Sequence, residues 1–492
     1  MWRPEIRVNA RLILPALATI IGAPIAIALV YGQPYLNYDA AYSLVWANDI
    51  AAGLTPDYLG YIAPTPHPLQ TFFSFLALPL GEITEDVLAW LVMFCFGGLV
   101  WVVYLVGREL FNAPVGVLAA VVLVTRPAFA KNAEAAYQDI PFVLFVCWAL
   151  LLEVRNTRRG WPVLLLLTFA GLLRPEGWVL AALYWLYLVP AREWRARIGL
   201  AVLAVAGPVL WAISDWAITG DLLHSFHGTK DLAAQLDRPR TPGEAPWFTA
   251  KFIGWTLREP LILGVPIGCA FALLFARRQA KILLGVAVLM TLLFIASTLG
   301  GLPLIARYVL TPAVLLAIVY AAGVFGWKNL PEGSRERSTW KAVGYGSLAL
   351  SIVFIPWHIG LIGDQAQKIE NYGSIQRDLE AVSKAPVFVE YYERCGRIST
   401  NNHRPVPYLR YELDGPPGSV QTQRDPEHPL AETMLQPRSR EVARKYYNEV
   451  PDLAPPPGFT TVFVSRSWRM FASPDCRAAV AAGRDLPNAD RG

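Results

Sequence analysis

A single carboxylate stands where the first apolar segment of the chain ends. The stretch Asn37-Tyr38-Asp39-Ala40-Ala41-Tyr42 follows a membrane-length apolar run, and residues 32–86 include neither Lys nor Arg. A loop without basic residues beside a membrane segment belongs outside the cytoplasm. Asp39 is therefore expected at the floor of a cavity on the outer surface, where a carboxylate can accept a proton as a general base.

A short helix is expected to position this carboxylate. The sequence predicts Asp39 as the helix N-cap, residues 40–52 as the helix, and Gly53 as the residue that ends it. The apolar residues of this helix recur at helical spacing, which predicts that it lies in the membrane interface. The alternative is that Asp39 caps the helix and does nothing else.

The composition is that of a protein that crosses the membrane several times. Hydrophobic residues make up 54% of the chain and charged residues 16%, and the mean hydropathy is +0.36. The first 11 residues are basic and residues 12–31 are apolar, a combination that resembles a signal sequence but is interpreted as an uncleaved first span. The net charge of +5 concentrates in loops, so it indicates topology and gives no reason to expect a nucleic-acid partner.

Apolar runs separated by basic clusters predict about eleven transmembrane segments in a multi-pass protein of the plasma membrane. The predicted spans cover residues 12–31, 87–106, 113–125, 140–153, 161–173, 177–190, 198–217, 258–276, 282–300, 304–326 and 342–362. The basic clusters fall on alternate loops, which predicts a cytoplasmic N-terminus and an extracytoplasmic C-terminal region. Residues 1–362 are predicted as the transmembrane catalytic domain and residues 363–492 as an extracytoplasmic α/β domain.

Four of these spans, between residues 113 and 190, are shorter than the roughly 17 to 25 residues that cross hydrocarbon. Their predicted outer ends are polar, which indicates a water-filled cavity that opens outward. The alternative is a set of polar collars above the lipid headgroups. Four cations interrupt the positive-inside pattern there, namely Arg126, Lys131, Arg174 and Arg307. Any one of them could instead be a snorkelling residue of the collar.

The chain changes character after residue 362, where charge and Pro rise and long apolar runs end. Strands are predicted at 386–392 and 460–465, the second forming a hairpin with 468–471. Helices are predicted at 375–383 and 431–447. Cys395 and Cys476 both fall in this extracytoplasmic region, where a disulfide can form, although two free thiols are the alternative.

The loop that begins at Asp39 resembles the first outer loop of GT-C glycosyltransferases that use polyprenyl-phosphate sugars. The shared pattern is an Asp, an aromatic residue, a short helix ending in Gly, and a Pro-rich run closing on His67-Pro68-Leu69. Relatives of this class include protein O-mannosyltransferases and the lipid A aminoarabinose transferase. The class commonly opens the helix with an Asp-Glu pair, whereas this chain has Ala40 in the second position, which leaves Asp39 alone.

The resemblance implies a GT-C fold and an inverting transfer of a sugar to an acceptor hydroxyl, with Asp39 as the catalytic base. The stretches Arg307-Tyr308 to Pro312 and Arg174-Pro175-Glu176-Gly177 are similar to recurrent stretches of this class. The leaving phosphate is assigned to cations, because guanidinium groups bind phosphate in bidentate geometry. The donor-phosphate residues are Arg307, Arg174, Lys131 and Arg126. The substrate-binding residues are Tyr38, Tyr42, His67, Tyr137, Asp139, Glu176 and Tyr308.

No cofactor and no metal ligands are predicted, although a divalent metal remains an alternative. The His224-x-x-His227 pair is interpreted as two solvated or satisfied histidines, because no carboxylate follows at a fixed spacing. The expected partners are a polyprenyl-phosphate sugar donor, membrane lipid, and a glycan, lipid or protein acceptor. The competing hypothesis is a transporter or flippase of a lipid-linked or anionic substrate.

Overall fold

The structure, a computed structural model, describes residues 12–426 and 429–486. The basic residues Arg3, Arg7 and Arg11, which contribute to the prediction of a cytoplasmic N-terminus, lie outside the described residues. Residues 487–492, the end of the predicted C-terminal domain, also lie outside them.

The chain up to Val353 is helical. Its helices are α1 (Ile13–Tyr31), α2 (Tyr38–Ala51), α3 (Pro68–Ala77), α4 (Thr84–Leu110), α5 (Ala113–Thr125), α6 (Pro127–Glu134), α7 (Asp139–Arg155), α8 (Trp161–Gly171), α9 (Glu176–Leu188), α10 (Trp194–Thr219), α11 (His224–Gln235), α12 (Ala245–Leu257), α13 (Leu261–Phe275), α14 (Arg277–Ser297), α15 (Leu310–Phe325) and α16 (Arg335–Val353). Short 3-10 turns include Ala306–Val309, which precedes α15.

The apolar helices are those of a multi-pass membrane protein. Within the described residues, 5 helical segments are long and apolar enough to span a membrane, or up to 8 when each bent pair counts as one span. The predicted number of about eleven is therefore not confirmed by helix length. The difference lies partly in α7, α8 and α9, which have 17, 11 and 13 residues. These three helices correspond to spans that the sequence already predicted to be short.

Helix α15 forms the centre of the bundle. In the membrane-length stretch within Ala306–Asn329, which contains α15, 89% of the residues are buried. The helix packs against α5, α13 and α14. Gly268 on α13 and Gly323 on α15 allow the two backbones to touch, because a Cβ added at Gly268 would lie 2.2 Å from the carbonyl oxygen of Val319. Close backbone packing of this kind stabilises helix pairs in a membrane, where the hydrophobic effect does not favour contact between helices over contact with lipid.

The C-terminal region is an α/β domain that begins with a long helix. Its elements are α17 (Ile355–Ser383), α18 (Pro386–Cys395), β1 (Ile398–Thr400), α19 (Val406–Glu412), β2 (Val420–Thr422), β3 (Thr433–Pro437), α20 (Arg440–Tyr447), β4 (Thr460–Val464), β5 (Trp468–Ala472) and α21 (Pro474–Ala481). The 5-stranded sheet has the order β2-β1-β3-β5-β4. Strand β1 pairs in parallel with β2 and β3, whereas β5 pairs antiparallel with β3 and β4.

The predicted hairpin is confirmed by β4 and β5, and the predicted helix at 375–383 is the end of α17. Helix α17 also runs through the predicted domain boundary at residue 363. The predicted strand at 386–392 is wrong, because Phe388, Tyr392 and Cys395 are buried at helical spacing on α18. The predicted helix at 431–447 is half wrong, because strand β3 occupies its first part. Ser439 then caps α20 by accepting a hydrogen bond from the backbone N–H of Val442.

The core of this domain reaches the membrane part of the chain. Phe388, Leu409, Tyr446 and Trp468 are buried in one apolar cluster, and Ala41 of α2 belongs to the same cluster. A disulfide joins Cys395 at the end of α18 to Cys476 on α21, the pair that the sequence proposes. The fold thus places the C-terminal domain directly against helix α2, which carries Asp39.

Candidate active site

Helix α2 begins one residue before Asp39, and a different residue caps it. The Oδ1 atom of Asn37 accepts hydrogen bonds from the backbone N–H groups of Asp39 and Ala40, at 2.8 and 3.2 Å. Asn37 also donates from Nδ2 to the carbonyl oxygen of Ala135, at 2.6 Å, which ties the helix start to the end of α6. The prediction that Asp39 is the N-cap is therefore wrong. Because Asn37 satisfies the helix terminus, the Asp39 carboxylate is available for other contacts.

The Asp39 carboxylate meets the guanidinium of Arg307. Nη2 of Arg307 donates to Oδ2 of Asp39 at 2.8 Å, and Nε of Arg307 lies 3.1 Å from Oδ2 of Asp139. Arg307 belongs to the turn before α15, whereas Asp139 is the first residue of α7. The ring of Tyr137 lies 4.7 Å from the guanidinium carbon of Arg307. One arginine thus holds two carboxylates that are 100 residues apart in sequence.

A second arginine extends this chain of charges. Arg174 forms ion pairs with Asp139 and with Glu176, the latter at 2.6 Å. The ring of Tyr308 lies 3.7 Å from the guanidinium carbon of Arg174. The Asp39 and Arg174 clusters therefore form one ionic network through Asp139 and Arg307. Its two guanidinium groups are matched by three carboxylates, so the network carries no excess positive charge.

The break between α8 and α9 presents Arg174 and Glu176 to this network. Helix α8 ends at Gly171 and α9 begins at Glu176. A Cβ added at Gly177 would lie 2.4 Å from the backbone nitrogen of Gly171. Glycine at position 177 thus lets α9 start directly against the end of α8, which fixes the short connection that carries Arg174.

Three further cations lie near the network without an acidic partner among the described residues. Lys131 on α6 is within electrostatic range of Arg307, Lys368 and Arg404. Lys368 belongs to α17, and Arg404 precedes α19 and donates from Nη1 to the carbonyl oxygen of Tyr446 at 2.7 Å. We call Lys131, Lys368 and Arg404 the cation group. It gives the site an uncompensated positive charge.

The comparisons with known proteins concern the family and the fold of the chain. Residues 65–216 match the family described as dolichyl-phosphate-mannose-protein mannosyltransferase. ArnT from Cupriavidus metallidurans bound to undecaprenyl phosphate is similar over 94% of this chain and 98% of that chain, with 13% identity and a TM-score of 0.59. The apo state of the same protein covers the same shares, with 12% identity and a TM-score of 0.55. No curated protein sequence matches at a significant level.

The chain has the GT-C fold. The fold class and the family resemblance that the sequence predicts are thereby confirmed. Together the family match and the fold support a membrane glycosyltransferase of this class. The matched residues 65–216 include Asp139, Arg174 and Glu176, whereas Asp39 and Arg307 lie outside them.

Aromatic side chains line the site where the C-terminal domain approaches helix α2. The Tyr38 ring lies 5.0 Å from that of Tyr42 and 5.2 Å from that of His403, both edge-on. Burial, reinforced by the neighbouring Arg404, lowers the pKa of His403 to about 3. His403 is therefore neutral at physiological pH.

His67 is a second histidine near the network. It is buried at the start of α3 and is hydrogen-bonded to Nε2 of Gln138 at 2.7 Å, and its ring contacts that of Trp211 edge-on. Asp39, Arg174 and Arg307 are all within its electrostatic range. The structure thus brings His67 next to the network, as it does Tyr137, Tyr308 and Glu176.

The remaining sequence-predicted residues lie elsewhere. Arg126 is buried and its Nη1 atom lies 2.7 Å from Nδ1 of His358, so its recorded partner belongs to α17 and not to the ionic network. His224 is within 3.2 Å of the carbonyl oxygen of Tyr58, whereas His227 pairs with Asp221 at 2.6 Å. The two histidines of the His-x-x-His stretch therefore have separate partners.

Sequence reasoning missed Lys368 and Arg404. Both follow the predicted boundary at residue 363, so they were assigned to a separate domain. The sequence contained one signal for Lys368. Its helical stretch continues from the last predicted span, which could have indicated that Lys368 stays close to the membrane part of the chain. Arg404 had no such signal, because only the packing of α19 against α2 brings it to the site.

Proposed function

We propose that the protein transfers a sugar from a polyprenyl-phosphate donor to an acceptor hydroxyl, with inversion at the anomeric carbon. The family match over residues 65–216 and the GT-C fold support a glycosyltransferase. The similar ArnT structure contains undecaprenyl phosphate, which supports the choice of a polyprenyl phosphate. The acceptor class, whether glycan, lipid or protein, is left open by this proposal.

The observation that carries the proposal is a carboxylate held beside uncompensated cations. Asp39 is held at 2.8 Å by Arg307, and Arg307 is within electrostatic range of Lys131. A transfer from a lipid phosphate needs these two elements, a base for the acceptor and positive charge for the leaving group. A polyprenyl phosphate is already a competent leaving group, so no general acid is required.

Asp39 acts as the base in this proposal. Its carboxylate takes the proton of the acceptor hydroxyl as that oxygen bonds to the anomeric carbon. The bond from the anomeric carbon to the phosphate oxygen breaks on the opposite face, and its electron pair leaves with the phosphate. A single displacement of this kind inverts the anomeric configuration. The products are the glycoside, protonated Asp39 and the polyprenyl phosphate dianion.

The cation group binds the departing phosphate. Lys131, Lys368 and Arg404 lack carboxylate partners within the described residues, so phosphate can bind them without displacing an ion pair. Arg307 is shared between Asp39 and the phosphate, because its guanidinium has several donors and is within electrostatic range of Lys131. Arg174 holds Asp139 and Glu176 in place, which is a positioning role and differs from the sequence-based assignment to phosphate. Arg126 is left out of the phosphate site, since its recorded partner is His358.

The proposal requires no metal, because the cation group supplies the positive charge that a metal would otherwise provide.

We also propose that the site faces outward. The basic residues at the end of the bundle remote from Asp39, which include Arg108, Arg158, Arg192 and Arg278, support a cytoplasmic location for that end.

The test uses purified full-length protein with radiolabelled polyprenyl-phosphate sugars and a panel of glycan, lipid and peptide acceptors. Loss of lipid-linked label with gain of a labelled glycoside supports the enzyme, and an excess of EDTA should leave the rate nearly unchanged. Movement of the intact labelled lipid between leaflets of a liposome, without glycoside, would instead support a flippase.

A further inference from the structure

A large cavity lies at the end of the helices remote from Asp39. It has a volume of about 860 Å³ and is lined by residues of α4, α7, α8, α9 and α14. Helix α7 carries Asp139 at its first turn and lines the cavity with Glu153 near its last. The lining residue of α7 nearest to Asp139 is Val146, about 10 Å away along the helix axis at 1.5 Å per residue. None of the described residues of the ionic network lines the cavity.

The walls of the cavity are apolar faces of membrane helices. Its lining residues recur at spacings of three and four along α7, α9 and α14, and they include Ala149, Leu150, Leu183, Gly285 and Val286. The lining of α14 extends from Arg278 to Val286, a depth of about 12 Å. One leaflet of a bilayer has about 15 Å of hydrocarbon. The cavity thus has the depth and polarity to take a lipid acyl chain.

The acidic residues at the mouth of the cavity are already bonded. Oε1 of Glu109 accepts a hydrogen bond from Nη2 of Arg155 at 2.9 Å. Glu153 accepts one from the Tyr184 hydroxyl at 2.6 Å and one from the backbone N–H of Arg158 at 2.7 Å. Arg155 neutralises Glu109, whereas the partners of Glu153 are uncharged and leave its negative charge in place. Arg278 and Lys281 together therefore leave the mouth with an excess of one positive charge.

The two basic side chains that line the cavity have no such partners among the described residues. The side chains of Arg278 and Lys281 form neither a hydrogen bond nor an ion pair within residues 12–426 and 429–486. They are three residues apart on α14, so their side chains extend from the same face of the helix. Two cations above an apolar chamber match an anionic headgroup above an acyl chain, because basic residues near a membrane surface attract anionic lipids.

We propose that this cavity binds one anionic glycerophospholipid from the leaflet remote from Asp39. One acyl chain occupies the space between α7, α9 and α14, and the phosphate contacts Arg278 and Lys281. A zwitterionic lipid fits less well, because its amine adds a positive charge to a mouth where Arg278 and Lys281 already exceed the one unneutralised carboxylate, Glu153. The proposal does not depend on the transferase reaction, since none of the described residues of the ionic network lines the cavity.

The first test is native mass spectrometry of the full chain, purified in mild detergent with equal amounts of phosphatidylglycerol and phosphatidylethanolamine. The wild-type protein should retain one phosphatidylglycerol. The double variant Arg278→Gln/Lys281→Gln should retain it about thirtyfold less well, since each basic residue near a surface contributes about one factor of five. The control is Arg195→Gln/Arg335→Gln, which removes two exposed basic residues outside the cavity lining and should leave retention unchanged. Equal retention in the two double variants would overturn the proposal.

A second variant tests the acyl chain. Gly285 lines the cavity, and a Cβ added there has no atom within 4 Å. Gly285→Leu should fill the chamber and reduce phosphatidylglycerol retention, whereas Gly254→Leu on α12, where a Cβ also has open space, should not. Unchanged retention in Gly285→Leu would contradict the proposal. Added undecaprenyl phosphate should bind alongside phosphatidylglycerol, and displacement of phosphatidylglycerol would assign the cavity to the donor lipid and overturn it.

Discussion

Arg410 and Asp49 form a buried ion pair that links the C-terminal domain to helix α2. Nη2 of Arg410 lies 2.5 Å from Oδ1 of Asp49, and the two side chains are 2% and 4% exposed. Arg410 belongs to α19, and the Tyr408 hydroxyl of the same helix donates to the carbonyl oxygen of Leu36 at 2.9 Å. The C-terminal domain therefore holds both the start and the second half of the helix that carries Asp39.

Removing one partner of this pair should strongly destabilise the protein. Arg410→Met leaves the Asp49 carboxylate buried without a countercharge, which typically costs about 3–5 kcal/mol. Denaturant unfolding followed by Trp fluorescence measures the effect. Lys445→Met, which removes the exposed pair with Glu441, is the control and should cost at most about 1 kcal/mol. The double variant Asp49→Leu/Arg410→Met should recover much of the loss, because it leaves no unpaired buried charge. Equal stability of Arg410→Met and Lys445→Met would mean that the pair does not hold α2.

Lys131 should contribute to donor binding. Lys131→Gln removes a cation that has no acidic partner within the described residues, so the lost affinity for the lipid phosphate is not offset by a released ion pair. A charged hydrogen bond contributes about 1.5–3 kcal/mol, which corresponds to a loss of roughly 10- to 150-fold in donor affinity. Binding of a radiolabelled polyprenyl phosphate measures this loss, with Lys384→Gln, at the exposed residue that directly follows α17, as the control. Donor affinity equal to wild type in Lys131→Gln would remove Lys131 from the phosphate site.

Arg307 should affect both donor affinity and turnover. Arg307→Ala loses a contact to the phosphate and also releases Asp39 from its 2.8 Å partner. Donor affinity should fall by roughly 10- to 150-fold, and acceptor affinity should change far less. Arg307→Lys should recover only part of the loss, because an ammonium cannot hold Asp39 and phosphate in the planar geometry of a guanidinium. Full recovery by Lys would show that only the charge matters at this position.

The stability of the protein should fall below pH 6.5 because of His403. Burial lowers the pKa of His403 to about 3 in the folded state, against 6.5 for the unfolded chain. The unfolded state therefore binds the proton first, and stability is present above pH 6.5 and is lost as the pH falls towards 3. Between pH 7.5 and pH 5.5 this one group should reduce the free energy of unfolding by about 1.4 kcal/mol. His403→Gln should flatten that part of the stability profile, and an unchanged profile would assign the acid sensitivity to other groups.

The sequence alone was enough to single out Asp39, Asp139, Arg174 and Arg307. Each is a charged residue at the end of an apolar run that predicts a membrane helix. The structure brings these four together through pairings that no spacing encodes, since Arg307 reaches Asp39 across 268 positions. Lys368 and Arg404 could not be placed for the same reason. Their approach depends on how α17 and the C-terminal domain pack against α2.

Errors in the sequence-based assignment arose where local preference and tertiary packing disagree. The stretch 386–392 is rich in residues that favour strands, yet the burial of Phe388 and Tyr392 on one face selects helix α18. The N-cap of α2 is Asn37 and not Asp39, although both are good capping residues. Asn37 caps the helix because its Nδ2 also bonds to Ala135, which Asp39 cannot do as an acceptor.

The turnover of Asp39→Asn with a polyprenyl-phosphate sugar tests the proposed transferase mechanism most directly. Asparagine keeps the size of the side chain and an oxygen for Arg307, and Asn37 still caps α2, so folding and donor binding should be preserved. Because an amide cannot take the acceptor proton, turnover should fall by roughly 10²- to 10⁴-fold. Asp221→Asn, which changes a partly exposed aspartate paired with His227, is the control and should turn over at the wild-type rate. A near wild-type rate for Asp39→Asn would contradict the assignment of Asp39 as the base and would make Asp139 the next residue to test.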